Sequence, residues 1–178
     1  MEAGLFVIGK GRVSDSYLHE LYFNLHYGPL QLKVGKQEFM LESAFQSVSS
    51  GNYFISNNSR PIPRIGLGFY EYTNVPYTNG YLQIRGFLNQ GILEDDRGAE
   101  GVKDILLHEK SLYLRTNKLL VNPYLGVNHS ALFGGTRSDG TQIPVDYFST
   151  FLGSGSDKVG AQLLGEGTNA AGAHSLMF

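Results

Sequence analysis

The sequence predicts an all-β protein, built as an antiparallel up-and-down meander of about seven or eight strands. Apolar and polar side chains alternate with a period of two residues in several segments, which places them on opposite faces of a strand. The 178 residues include 23 Gly, 11 Tyr and 11 Phe but no Trp, a composition that favours sheets and tight turns over helices. The links between these segments are short and long in turn.

The clearest strand covers residues 18–27. One of its faces carries Leu21, Phe23, Leu25 and Tyr27, and the other carries Glu20, Tyr22, Asn24 and His26. Gly28 and Pro29 then turn the chain. In the next segment Leu30, Leu32 and Val34 oppose Gln31, Lys33, Gly35 and Gln37. The two segments are typical of a β-hairpin.

Further segments alternate in the same way. In residues 64–73, Ile65, Leu67 and Phe69 oppose Arg64, Gly66, Gly68, Tyr70 and Tyr72. From residue 80 onward, Leu82, Ile84, Leu88 and Ile92 oppose Tyr81, Gln83, Arg85 and Asn89. Leu112 and Leu114 alternate with Ser111, Tyr113 and Arg115. Residues 119–133 carry Val121, Leu125, Val127 and Phe133 against Asn122, Tyr124, Asn128 and Ser130. The apolar run 5–8 and the terminal residues 174–178 are weaker candidates for strands.

The lengths of the links between strands indicate which class of β-protein the sheet belongs to. Those at 28–29, 74–79 and 116–118 are short, whereas those at about 38–62, 94–106 and 134–174 are long. In a meander, alternate links emerge at the same rim, so the short turns share one rim and the long loops share the other. Outer-membrane barrels have this asymmetry. Strands of about ten residues also match the roughly 9–11 that cross a bilayer at a tilt.

Composition excludes several other classes of protein. The formal net charge of −2 provides no basic field for a phosphate backbone, so we expect no nucleic-acid partner. The absence of cysteine excludes disulfides, thiol nucleophiles and Cys-ligated zinc. No segment has the roughly 20 apolar residues of a membrane-spanning helix. Residues 1–4 lack the basic region of a secretory signal, so an exported protein would have its true start upstream.

Two architectures remain open at this point. A soluble barrel that holds an apolar ligand also alternates, but its polar face points outward, and it requires Leu21, Phe23, Leu82 and Ile84 to point inward. A membrane sheet needs partners for its edge strands, because unpaired edges are not tolerated in lipid. The membrane interpretation therefore predicts that residues 1–178 are one partial domain of a larger transmembrane β-barrel.

Five stretches, taken together in their order and spacing, point to a family. They are residues 31–37 (QLKVGKQ), 58–63 (NSRPIP), 91–97 (GILEDDR), 106–110 (LLHEK) and 129–135 (HSALFGG). They resemble the Wzi capsule-assembly family in its Bacteroidetes form. The resemblance implies a non-enzymatic barrel in the bacterial outer membrane, monomeric at full length, that helps assemble capsular polysaccharide or hold it at the surface. The chain departs from the family in lacking a signal peptide and in its length, so we expect it to be a fragment.

The polar face supplies the candidate ligand-binding residues. If it lines a lumen, its cations would meet carboxylates of an acidic polysaccharide, and its tyrosines would stack on sugar rings. These residues are Lys33, Arg64, Tyr70, Tyr72, Arg85, Tyr113 and Arg115. The simpler interpretation is that a lumen needs polar filling, with arginines paired to Glu20, Glu71 or Glu109.

Other chemistries find little support in the sequence. The acidic run 94–96 is adjacent to a predicted loop and reads as a solvated loop entry rather than a calcium or glycosidase site. The five histidines show no metal-ligand spacing. An outer-membrane lipid or sugar hydrolase would need a nucleophile and a base on one face, yet His129 and Ser130 are neighbours and point to opposite faces. We expect no catalytic residue, metal or cofactor. Residues 153–160 have the wrong spacing for a phosphate loop and read as a flexible linker, and Val145, Phe148, Phe151 and Leu152 predict a short helix that packs the last loop.

Overall fold

The computed structural model describes residues 1–9, 16–38, 60–93, 103–136, 139–152 and 172–177. They form one eight-stranded sheet in which every strand pairs antiparallel with its neighbour in sequence. The strands are β1 Glu2–Ile8, β2 Tyr17–Tyr27, β3 Leu30–Lys36, β4 Pro63–Asn74, β5 Leu82–Ile92, β6 Leu106–Thr116, β7 Tyr124–Phe133 and β8 Gly172–Met177. The predicted all-β meander is therefore confirmed.

The boundaries correct the sequence prediction in two places. The predicted strand 119–133 begins only at Tyr124, directly after Pro123, because residues 117–123 form the turn between β6 and β7. In that turn the Asn122 side chain accepts a hydrogen bond from the Leu119 amide and donates one to the Leu119 carbonyl oxygen. The apolar run at residues 5–8 is the second half of the longer strand β1.

The two faces of the sheet differ sharply in character. We call the apolar face the one that carries Leu21, Phe23, Ile65, Leu67, Leu88, Leu112 and Leu114. We call the polar face the opposite one, which carries Asn24, Lys33, Arg64, Arg85, Asn89, Glu109, Ser111 and Tyr113.

Burial is inverted relative to a soluble sheet. On the apolar face, Leu21 is 53% exposed and Leu67 is 50% exposed. On the polar face, Asn24 is 2% exposed and Glu109 is 4% exposed. A soluble barrel needs the opposite arrangement, with Leu21 and Phe23 inside, and Phe23 is also exposed.

Short turns share one rim of the sheet, as predicted. The turn at 28–29 has Gly28 at φ 56° followed by proline, which fits a two-residue type II′ hairpin. The other two turns span residues 75–81 and 117–123 and are bonded together, because the Asn117 amide donates to the Tyr81 carbonyl oxygen at 2.8 Å. The strand ends that the remaining links join lie at the opposite rim, and these ends are Ile8 and Tyr17, Lys36 and Pro63, Ile92 and Leu106, and Phe133 and Gly172. Most of the predicted long loops, including the acidic run 94–96 and the linker 153–160, lies outside the described residues.

A short helix covers part of the apolar face at the long-loop rim. Helix α1 spans Tyr147–Leu152, as the spacing of its apolar residues predicts. Asp146 caps it, since its carboxylate accepts hydrogen bonds from the amide and the hydroxyl of Ser149. The ring of Tyr147 meets Phe133 edge-on, with centroids 5.3 Å apart. The helix therefore packs part of the last long link against β7; the sequence predicted the helix and its packing role but not the strand that it contacts.

No helix in the described part of the chain is long and apolar enough to cross a membrane.

Candidate functional site

The register of β3 to β6 brings the seven predicted site residues onto the polar face. Arg85 lies opposite Tyr113, and Gln83 lies opposite Arg115. On the neighbouring strands Lys33 lies opposite Gly66, which has no side chain to separate Lys33 from the rings beyond it. The seven side chains fall into two groups, one towards each rim.

The group nearer the short turns is centred on Tyr72. The guanidinium carbon of Arg115 lies 3.7 Å from the centroid of the Tyr72 ring, and that of Arg85 lies 5.1 Å from it. Arg85 also lies 4.7 Å from the ring centroid of Tyr113. Arg115 Nε donates a hydrogen bond to Gln83 Oε1 at 2.8 Å. Cations over aromatic faces are attracted by the ring quadrupole, so this group stabilises its own two positive charges.

Accessibility differs within this group. Arg85 is 7% exposed and Tyr113 is 3% exposed, and the Tyr113 hydroxyl accepts a hydrogen bond from Asn128 Nδ2. Tyr72 and Arg115 are only half-buried. Among the described residues Arg115 forms no ion pair. Arg115 is therefore the cation of this group best placed to meet an external anion.

The second group, nearer the long loops, is centred on Tyr70. Lys33 Nζ lies 4.3 Å above its ring, and the Phe87 ring stacks on it with centroids 5.3 Å apart. The Tyr70 hydroxyl donates to Asn89 Oδ1 at 2.6 Å. The cavity at this place measures about 10 Å³, which is room for about one water and none for a sugar ring.

Arg64 belongs to this second group and is held by a carboxylate. Its Nη1 lies 3.2 Å from Glu109 Oε2, and both side chains are more than nine-tenths buried. In a buried pair of this kind, neither charge is available to a ligand. Removing one partner leaves the other charge buried without compensation, which destabilises the folded state. For Arg64 the structure therefore fits the simpler interpretation, in which the polar face fills itself.

Glycines on the polar face make room for the aromatic rings. Gly126 lies directly opposite Tyr113, and Gly68 lies directly opposite Phe87. A Cβ atom at either glycine would approach the ring or the backbone of its partner closer than 3.0 Å. The Tyr113 ring thus lies across Gly126, which is a known device for pinning strand register, whereas Gly68 allows close approach to the Cα and Cβ of Phe87.

Four residues that contact the predicted site residues on this face were not predicted from the sequence to belong to the site. They are Gln83, Phe87, Asn89 and Asn128, which hold the cations and tyrosines by hydrogen bonds and stacking. The period-two alternation was the signal that could have found Gln83, Asn89 and Asn128. Phe87 broke the pattern because it is an apolar residue on the polar face.

On β6 and β7 the serines and the histidines lie on opposite faces of the sheet. Ser111 and Ser130 lie on the polar face, whereas His108 and His129 of the same strands lie on the apolar face. The opposition of His129 and Ser130 agrees with the sequence prediction. Within the described ranges no cluster of three His, Asp or Glu side chains could hold a metal ion.

Comparison with known proteins gave no significant match to any family model, curated protein or solved structure.

Proposed function

We propose that this chain is part of a non-enzymatic outer-membrane β-barrel that takes part in assembling capsular polysaccharide or in holding it at the cell surface. The observation that carries the proposal is the inverted burial of the sheet, with aliphatic side chains exposed and charged side chains buried. Water would penalise that exposed apolar face, whereas hydrocarbon would solvate it. The resemblance of five sequence stretches to the Wzi family supports the capsular role.

Strand length and the short-turn rim support a membrane location. Strands β2 and β4 to β7 have 10 to 12 residues each, close to the roughly 9–11 that span a bilayer at a tilt. Exposed tyrosines gather at the short-turn rim, where a membrane barrel carries an aromatic girdle. Those that lie outside the polar face are Tyr27, on the apolar face of β2, and Tyr77, in the turn 75–81.

The strand order adds a requirement to the proposal. It begins at β1 and finishes at β8, and each of these strands needs a partner if the sheet sits in lipid. We propose that further strands of the same protein supply these partners and close a monomeric barrel. The polar face then lines the lumen, and outer-membrane lipid surrounds the apolar face.

Within the lumen, the proposed contact for polysaccharide is Arg115 with the adjacent Tyr72, the more accessible members of the group nearer the short turns. Arg115 offers a guanidinium without a carboxylate partner among the described residues, held in place over the Tyr72 ring. A uronic acid provides a carboxylate that this guanidinium can bind. Lys33, Arg64 and Tyr70 are tightly packed and serve mainly to hold the lumen wall.

The binding experiment compares polyglucuronate with neutral dextran on the full chain in detergent micelles. We expect R115Q to weaken polyglucuronate binding about tenfold, as for loss of a charge-assisted hydrogen bond. The matched control is K118Q, which removes the same charge from the short-turn rim, and it should leave binding unchanged. Equal binding of dextran, or equal losses in the two variants, would contradict the polysaccharide assignment.

A further inference from the structure

We infer that Gln83 is a positioning residue for Arg115: it fixes the direction of the guanidinium so that the two Nη nitrogens face a carboxylate in the lumen. This inference rests on the proposed function, which makes Arg115 the contact for an acidic polysaccharide. It adds the residue that orients Arg115 and the edge of the guanidinium to which the carboxylate binds. Its evidence is a chain of two side-chain hydrogen bonds across β4, β5 and β6.

The register of these three strands places the hydrogen-bond chain near the short-turn rim. Asn74 on β4 lies directly opposite Gln83 on β5, and Gln83 lies directly opposite Arg115 on β6. Directly opposite residues of an antiparallel pair point to the same face of a sheet. The three side chains are therefore neighbours on the polar face, where Tyr72 also contacts Arg115.

The chemistry of the donors determines which way the Gln83 amide points. A guanidinium has donors only, so Arg115 Nε donates to the amide oxygen, Oε1, at 2.8 Å. The amide nitrogen then faces β4, where Gln83 Nε2 donates to Asn74 Oδ1, also at 2.8 Å. Because rotating the amide by half a turn would break both hydrogen bonds, Asn74 keeps the Gln83 oxygen directed at Arg115.

Two contacts together hold the guanidinium, which lies over the Tyr72 ring and donates through Nε to Gln83. In the part of the chain that the structure describes, the bond to Gln83 is the only side-chain hydrogen bond of Arg115. A guanidinium can bind a carboxylate through two parallel hydrogen bonds, either from Nε and one Nη or from both Nη nitrogens. Since Gln83 takes Nε, the edge that remains for the carboxylate is the pair of Nη nitrogens.

Holding the guanidinium in one direction lowers the free-energy cost of binding. A flexible arginine side chain loses rotamer entropy when it binds a ligand, and fixing the side chain beforehand removes part of that cost. Without the Gln83 amide, Arg115 keeps its charge, but its guanidinium can turn away from the ligand. We therefore expect Q83L to weaken polyglucuronate binding about three- to tenfold, as for one side chain immobilised on binding.

The test is a double-mutant cycle on polyglucuronate binding by the full chain in detergent micelles, with the parent chain, Q83L, R115Q and Q83L/R115Q. We expect Q83L to weaken binding in the parent background and to have no effect when R115Q is present, because no guanidinium is left to orient. A merely structural role of Gln83 would give the same loss in both backgrounds. The matched control Q31L removes a polar-face glutamine of β3 and should leave binding unchanged.

Q83E is the second variant, and circular dichroism checks that each variant folds. It keeps the size of the side chain but places a carboxylate against Arg115, which then has an internal partner that competes with the ligand. We expect Q83E to weaken binding about tenfold, as R115Q does. If R115Q weakens binding but Q83L and Q83E do not, or if Q83L acts equally in both backgrounds, the positioning role is overturned and the proposed function stands. No effect of R115Q would overturn both.

Discussion

The guanidinium carbon of Arg115 lies 3.7 Å from the centroid of the Tyr72 ring, which joins β6 to β4 across the intervening strand β5. Because the two residues are not on adjacent strands, their contact depends on the curvature of the sheet as well as on its register. The pair therefore reports on whether three neighbouring strands are correctly assembled.

A double-mutant cycle should detect this contact as a coupling energy. We expect R115Q and Y72L to be non-additive by about 0.5–2 kcal/mol, the range for cation–π contacts from exposed to desolvated sites. The measurement is the free energy of unfolding in guanidinium chloride for the parent chain, both single variants and the double variant. Strict additivity would mean that the stacked geometry contributes nothing to stability.

Replacing Gly126 by alanine should destabilise the sheet. Its Cβ would collide with the Tyr113 ring, and such overpacking costs about 1–3 kcal/mol. The double variant G126A/Y113L should recover part of the loss, because the ring is gone. G9A is the control, since its Cβ meets only the Ser16 hydroxyl at 3.6 Å. Equal effects of G126A and G9A on the unfolding midpoint would refute the proposed ring placement.

Removing the charge of either Arg64 or Glu109 should destabilise the folded protein. R64Q or E109Q leaves a buried charge without its partner, which costs about 3–5 kcal/mol. The double variant R64M/E109L removes both charges and should be more stable than either single variant. Thermal unfolding of the four proteins measures this, and a double variant less stable than both single variants would show that the pair is not acting as a buried ion pair.

Helix α1 should loosen in acid. Hydrogen bonds from Ser149 hold the pKa of Asp146 below its ordinary value. A carboxylate with a depressed pKa in the folded state stabilises that state above its unfolded pKa, and the contribution is lost as the pH falls through the folded pKa. We expect the protection factor of the Ser149 amide, which corrects for the intrinsic pH dependence of exchange, to fall below about pH 4. D146N keeps a capping side chain that does not titrate, so its exchange should lack this acid-induced step.

Period-two alternation was sufficient to predict the antiparallel meander and most of the polar face. Arg85 and Tyr113 were placed correctly because the residues on either side of each are aliphatic or glycine, whereas Phe87, on the same strand as Arg85, broke the pattern. The glycine–aromatic pairs could not be predicted, since Tyr113 meets Gly126 only once the register of β6 and β7 is known. The contact between His108 and the Phe151 ring of α1 could not be predicted either. The amphipathic pattern at 147–152 predicts a helix but does not indicate which surface the helix packs on.

Tryptophan quenching measures whether the apolar face contacts hydrocarbon and the polar face does not. The chain has no tryptophan, so one introduced residue is the sole indole. Leu114 and Tyr113 are adjacent and lie on opposite faces. In vesicles that contain brominated phosphatidylcholine, we expect strong quenching of L114W and weak quenching of Y113W. Equal quenching, or stronger quenching of Y113W, would contradict the account.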